Sequence, residues 1–142
     1  MNEESVGALM GQICRLNHMR MHSLLEDVGL YRGQPPVLRA LWEQEGITHS
    51  ELAQVLHVKP STVTNTIKRM EKAGFVERRD DPHDQRVSRV YLTNAGQGIR
   101  ARVQAVWAEM NQEVCAGLNE EERALLQSLL VRVRENLLTE RK

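Results

Sequence analysis

One interruption constrains this chain more than any other feature. An apolar helical pattern runs through Leu52, Ala53, Val55 and Leu56, stops at Val58-Lys59-Pro60, and resumes at Val63, Ile67 and Met70. Pro60 has no N–H to donate, which suits the first turn of a helix. The pattern predicts two short helices joined by a tight turn. Thr48, with Glu51 three residues on, marks the start of the first as a capping box. The second runs from about Pro60 to Ala73 and ends at Gly74, a residue free to take the left-handed backbone that closes helices.

Beyond Gly74 the period changes. Phe75-Val76-Glu77-Arg78-Arg79 reads as a strand, and Asp80-Asp81-Pro82-His83-Asp84 is dense in turn formers. From Val87 to Leu92 the chain alternates, with Ser88, Val90 and Leu92 on one side and Val87, Arg89 and Tyr91 on the other. That is a returning strand. The stretch from Thr48 to Thr93 is therefore helix, turn, helix and hairpin.

The second helix carries the chemistry. Val63, Ile67 and Met70 take one face. The other holds Ser61, Thr62, Thr64, Asn65, Thr66, Lys68, Arg69 and Lys72, with Glu71 the only acid from Lys59 to Ala73. Short hydrogen-bonding side chains at the start and cations at the end suit a helix docked in a DNA major groove. An ordinary solvated helix face mixes both charge signs, and this one does not. Ser61, Thr62, Thr64 and Asn65 are expected at bases or phosphates, Lys68 and Arg69 at phosphates. Lys59 stands where Ser, Thr or Asp would normally cap the helix. At the hairpin tip Arg86 can enter a minor groove, where negative potential concentrates. Asp84, two residues earlier, can aim its guanidinium.

These residues resemble the winged helix-turn-helix of the MarR family of bacterial transcription regulators. The matching runs are Ser50-Glu51-Leu52-Ala53, Ser61-Thr62-Val63-Thr64, Met70-Glu71-Lys72-Ala73-Gly74-Phe75-Val76-Glu77-Arg78, and the wing Asp81-Pro82-His83-Asp84-Gln85-Arg86 leading into Leu92-Thr93-Asn94-Ala95-Gly96. Similar length and flanking helices extend the resemblance over essentially the whole chain. It implies a mostly α fold with a small β-hairpin wing. By that resemblance residues 35–93 would form the DNA-binding region, and residues 1–34 and 94–142 the dimerisation helices of a single 1–142 domain. It also implies a homodimer on double-stranded DNA, probing a palindromic operator, and commonly a repressor released by a small aromatic or phenolic acid.

Charge distribution agrees with that expectation better than net charge does. The chain is neutral overall, yet residues 59–91 hold eight Lys/Arg against five Asp/Glu, while residues 35–58 hold one Arg against three Glu. No apolar run reaches the ~20 residues of a membrane span. Met1-Asn2-Glu3-Glu4 has no basic leader. A cytoplasmic protein with two reduced cysteines is expected. Glycine-rich phosphate loops, Gly-x-Ser-x-Gly and paired carboxylates in apolar surroundings are missing from the sequence, so no enzyme and no cofactor is expected.

The flanks carry more apolar residues than one core needs. Glu3 to about Val28 reads as a helix with two stripes, Leu9, Ile13, Leu16 and Leu24 beside Met10, Cys14, Met21, Leu25 and Val28. Pro35 starts a helix to about Glu45. Thr93 caps another to about Ala116, and Asn119 with Glu122 starts the last, whose Leu125, Leu126, Leu129, Leu130, Val131, Val133, Leu137 and Leu138 exceed one face. Exposed, they would form a large apolar patch, so a dimer built from the first and last helices is expected. His18 and His22 lie one turn apart and could share a metal, but they lack an obvious third ligand; residues lining a crevice or interface is the simpler reading, and no metal site is assigned. Cys14 offers an alternative, thiol-based redox sensing, as in some MarR relatives. There the thiol lies further upstream of the Trp matching Trp42, and its activating Tyr residues have no clear counterparts here.

Overall fold

The computed structural model describes residues 4–139. The chain divides into two compact units, residues 1–107 and 108–142. The first contains helix α1 (Val6–Glu26), α2 (Gln34–Glu43), strand β1 (Ile47–Thr48), α3 (His49–Leu56), α4 (Pro60–Ala73), β2 (Val76–Asp80), β3 (Ser88–Leu92), α5 (Asn94–Gly98) and the first half of α6 (Arg100–Val114). The second contains the end of α6 and α7 (Glu120–Thr139).

The local signals act as their chemistry requires. Thr48 Oγ1 accepts from the Glu51 N–H at 3.1 Å and opens α3. Val58 follows a left-handed His57, which ends α3, and Pro60 opens α4. Gly74 sits at φ +90°. Its N–H donates to Glu71 and that of Phe75 to Met70, so the last carbonyls of α4 are satisfied as the chain turns into β2. The apolar faces of α2, α3 and α4 meet over the sheet: Leu38, Leu41, Leu52, Val63, Ile67, Met70, Val76 and Val90 are buried together. Each such side chain contributes about 1.5–3 kcal/mol on burial.

The sheet has the order β1-β3-β2, all antiparallel. β2 and β3 pair from Val76 with Leu92 out to Asp80 with Ser88. β1, for which the sequence carries no signal, pairs Ile47 with Val90 and Thr48 with Arg89. Two residues are too few for an alternating pattern to show. The long helix expected after Thr93 is interrupted at Ile99, separating α5 from α6. Gly96 and Gly98 in one turn weaken helical preference there. Gly96 also touches the turn between α4 and β2: a Cβ on it would lie 2.2 Å from the Phe75 carbonyl oxygen.

α1 starts later than expected, after Ser5, whose Oγ accepts from the Ala8 N–H; Glu3 lies outside the described residues. Only its last turns join the core, through Leu25 with Met21 and Leu24, followed by Val28 just past the helix. Leu9, Ile13 and Leu16 stay exposed. In the second unit Asn119 and Glu122 form the full reciprocal box, Oδ1 accepting from Glu122 N–H at 2.8 Å and Oε1 from Asn119 N–H at 3.0 Å. α7 buries none of its residues, and Leu125 and Leu137 remain about 60 % exposed (60 % and 62 %).

Candidate nucleic-acid interface

α4 buries Val63, Ile67 and Met70 and turns Ser61, Thr62, Asn65, Lys68, Arg69 and Lys72 to solvent. Lys59 takes the capping position without a side-chain hydrogen bond, and the Thr62 and Val63 N–H groups donate instead to its carbonyl at 3.0 and 3.2 Å. Among the described residues Lys68, Arg69 and Lys72 form no ion pair. Thr64 differs from its neighbours. It is half-buried, and its Oγ1 lies 3.3 Å from His49 Nδ1, so it faces α3. Thr66 is also half-buried and donates back to the Thr62 carbonyl at 2.9 Å.

His49 had no signal in the sequence. Its Nε2 is buried without a hydrogen-bond partner among the described residues. Burial and the neighbouring Arg78 hold its pKa below the usual imidazole value, against a smaller opposing pull from Glu71. Arg78 in turn donates to Glu71 at 3.0–3.1 Å, tying β2 to the end of α4. Arg79 pairs with Glu77 and lies over the Tyr91 ring, 4.2 Å from its centroid. Both arginines thus serve the sheet. The α4 cations Lys68, Arg69 and Lys72, and Arg86 at the hairpin tip, are not engaged in this way.

The hairpin turn spans residues 81–87. Arg86 projects from it, its side chain 90 % exposed. Asp84 Oδ1 accepts from both the backbone N–H and Nε of Arg86 at 3.1 Å, the pairing expected from the sequence. An exposed helix of short polar side chains followed by cations therefore sits on the same folded body as a protruding arginine. Residues 30–88 match the model of the MarR family. An HTH-type transcriptional regulator of Bacillus subtilis, YwoH, is 32 % identical over 114 residues, covering 80 % of this chain and 82 % of the relative. The chain belongs to the MarR family.

Solved MarR structures share the fold over nearly the full length. Wild-type apo MarR from E. coli is 28 % identical with a TM-score of 0.81, covering 91 % of this chain and 96 % of that one. A mutant MarR from E. coli complexed with operator DNA is 29 % identical with a TM-score of 0.78, covering 90 % and 92 %. As a MarR-family member this protein is a DNA-binding transcriptional regulator of winged-helix fold.

The MarR-type body also holds a hollow of about 390 Å³ between the end of α1 and the start of α2. Met21, Leu25, Leu30, Pro35, Pro36 and Trp107 supply apolar wall, and His18, His22, Arg32 and Arg39 supply polar groups. The His18 and His22 rings stack at 6.4 Å, and His22 Nε2 lies 3.2 Å from Glu26. Arg39 lies over Trp107, 5.4 Å from the ring centroid. Gly33 and Pro36 line this hollow and a second of about 110 Å³ against Thr62, Val63 and Thr66 of α4. Cys14 is an exposed free thiol, and Cys115 is a half-buried one.

Proposed function

We propose that this MarR-family regulator is a cytoplasmic homodimeric repressor of a palindromic operator, released when a small aromatic or phenolic acid binds. The pairing of the exposed α4 face with the protruding Arg86 carries the DNA side of this reading. Ser61, Thr62 and Asn65, exposed on α4, would meet bases or phosphates, and Lys68 and Arg69 would meet phosphates. Thr64 acts instead by packing, its hydroxyl turned to His49. Two copies related by a two-fold axis would read half-sites about one turn, ~34 Å, apart.

The dimer is supported by apolar side chains left uncovered on α1 and α7, among them Ile13, Leu16, Leu129 and Leu130. Residues 1–34 and 94–142 supply these helices, and residues 35–93 the reading head. The ligand side is supported by the hollow, whose aromatic and aliphatic wall fits a ring and whose Arg32 and Arg39 fit a carboxylate. Gly33 and Pro36, which line both hollows, would link a bound ligand to α4. Release then follows from population shift: a ligand favouring one arrangement of the reading heads disfavours the arrangement that fits DNA.

The test is a mobility-shift titration on duplexes selected by the protein from a random pool, at two salt concentrations. Arg86→Ala is expected to weaken the selected duplex by about 10-fold or more while unfolding temperature stays unchanged. Unchanged affinity in that variant would remove the wing from the reading. Salicylate is a suitable first ligand probe, and release of the complex should be lost in Arg39→Ala.

A further inference from the structure

The wing turn has more internal structure than an exposed Asp-Arg pair requires, and its organiser is a different aspartate. Asp81 Oδ1 accepts from the N–H groups of His83 at 2.7 Å and Asp84 at 3.2 Å. Its own N–H donates to the Val87 carbonyl at 2.8 Å, and Val87 N–H returns to the Asp84 carbonyl at 3.0 Å. Asp81 therefore folds the turn that carries Asp84 and Arg86. Its Oδ2 accepts from Arg89 Nε at 2.7 Å. Only 12 % of the Asp81 side chain is exposed, so this pair is better shielded than Asp84–Arg86.

Arg89 reaches further. Its Nη1 donates to the Gly46 carbonyl at 2.8 Å. Gly46 is itself fixed, its N–H donating to Val90 at 2.9 Å and its backbone at φ +77° lying against Tyr91. The guanidinium thus spans two acceptors, one in the wing turn and one just before β1. A lysine could not hold both in one plane. The chain of contacts runs from the sheet edge through Arg89 and Asp81 to the turn, and through Asp84 to Arg86. By itself the exposed Asp84–Arg86 pair is too weak to hold a long side chain in one direction.

Resting on the reading of Arg86 as a DNA contact, we infer that Arg89 is a positioning residue for it: the Gly46–Arg89–Asp81 clamp sets the wing turn from which Arg86 reaches DNA. Arg89 need not touch DNA for this. The clamp keeps its charges over the whole ordinary pH range. Arg89 holds the Asp81 carboxyl below the usual carboxylate range, helped by the His83 N–H.

A double-mutant cycle tests the inference, using the duplex selected from a random pool against non-specific competitor DNA. The full-length proteins are wild type, Arg86→Ala, Arg89→Gln and the double variant. Arg86→Ala and Arg89→Gln should each lose about 10-fold in specific affinity, and the double variant should lose little more than either. A role confined to overall stability would not make the two losses overlap. Losses that multiply would overturn the inference and leave Arg86 standing as a contact in its own right. No loss in Arg86→Ala would overturn both. Arg89→Lys keeps the charge and loses the fork, and it should behave like Arg89→Gln; full affinity in it would show that charge alone is needed, and overturn the clamp. Thermal unfolding is followed throughout, and if Arg89→Gln fails to fold, Arg89→Lys takes its place in the cycle.

Discussion

Single residues bear on how far the proposed recognition face extends. The helical period assigned Thr64 to the polar face, and by angle it belongs at that face's margin. Its direction is decided by His49, a residue without periodic or motif signal. The two lie 15 positions apart and meet only once α3 and α4 have packed. Arg86 and Asp84 were legible because both chemistry and spacing are local. The same cannot be said of Arg89, whose partners Asp81 and Gly46 are brought to it by strand pairing. His49 also has a measurable signature. Facing Arg78 from β2 and Glu71 from α4, the half-buried ring resists a proton that the unfolded chain accepts near 6.5. Its contribution to stability is therefore complete above that pH and lost as pH falls below it. Unfolding temperature should drop between pH 7.5 and 5.5, and His49→Gln should show a smaller drop. An equal drop in both would assign the acid sensitivity elsewhere.

At the scale of elements, caps and breaks located the helices well. Thr48, Pro60, Gly74 and Asn119 each mark a boundary seen in the structure. Such signals depend on two or three neighbouring residues and need no tertiary contact. Elements whose existence depends on a partner were missed. β1 is two residues long and is a strand only because β3 lies beside it. The break between α5 and α6 reflects where Gly96 must sit: Trp42 Nε1 donates to its carbonyl at 3.0 Å, and the Phe75 carbonyl oxygen occupies the space a side chain would need. Gly96→Ala should therefore cost about 1–3 kcal/mol of stability, measurable by urea unfolding. A neutral substitution there would mean that α5 can lift from Phe75 without loss.

For the whole molecule, the sequence showed an excess of apolar surface and the structure shows that a single chain leaves it uncovered. Leu129 and Leu130 are 43 % and 48 % exposed, and α7 has no buried residue. Leu129→Glu with Leu130→Glu should convert the proposed dimer to a monomer in sedimentation velocity, with the winged body still folded by circular dichroism. Specific DNA binding should fall by about 100-fold or more, since two linked heads gain from effective concentration and one does not. An unchanged sedimentation coefficient would place the subunit contact elsewhere. The uncovered leucines of α7 have a consequence for gene dosage. Where a regulator is mostly monomeric, the amount of pair rises with the square of its expression. Under that condition halving synthesis would remove three-quarters of the proposed pairs, whereas a dimer tight enough to keep the α7 leucines covered would lose only half. The strength of that apolar contact would therefore set how steeply control follows gene copy number.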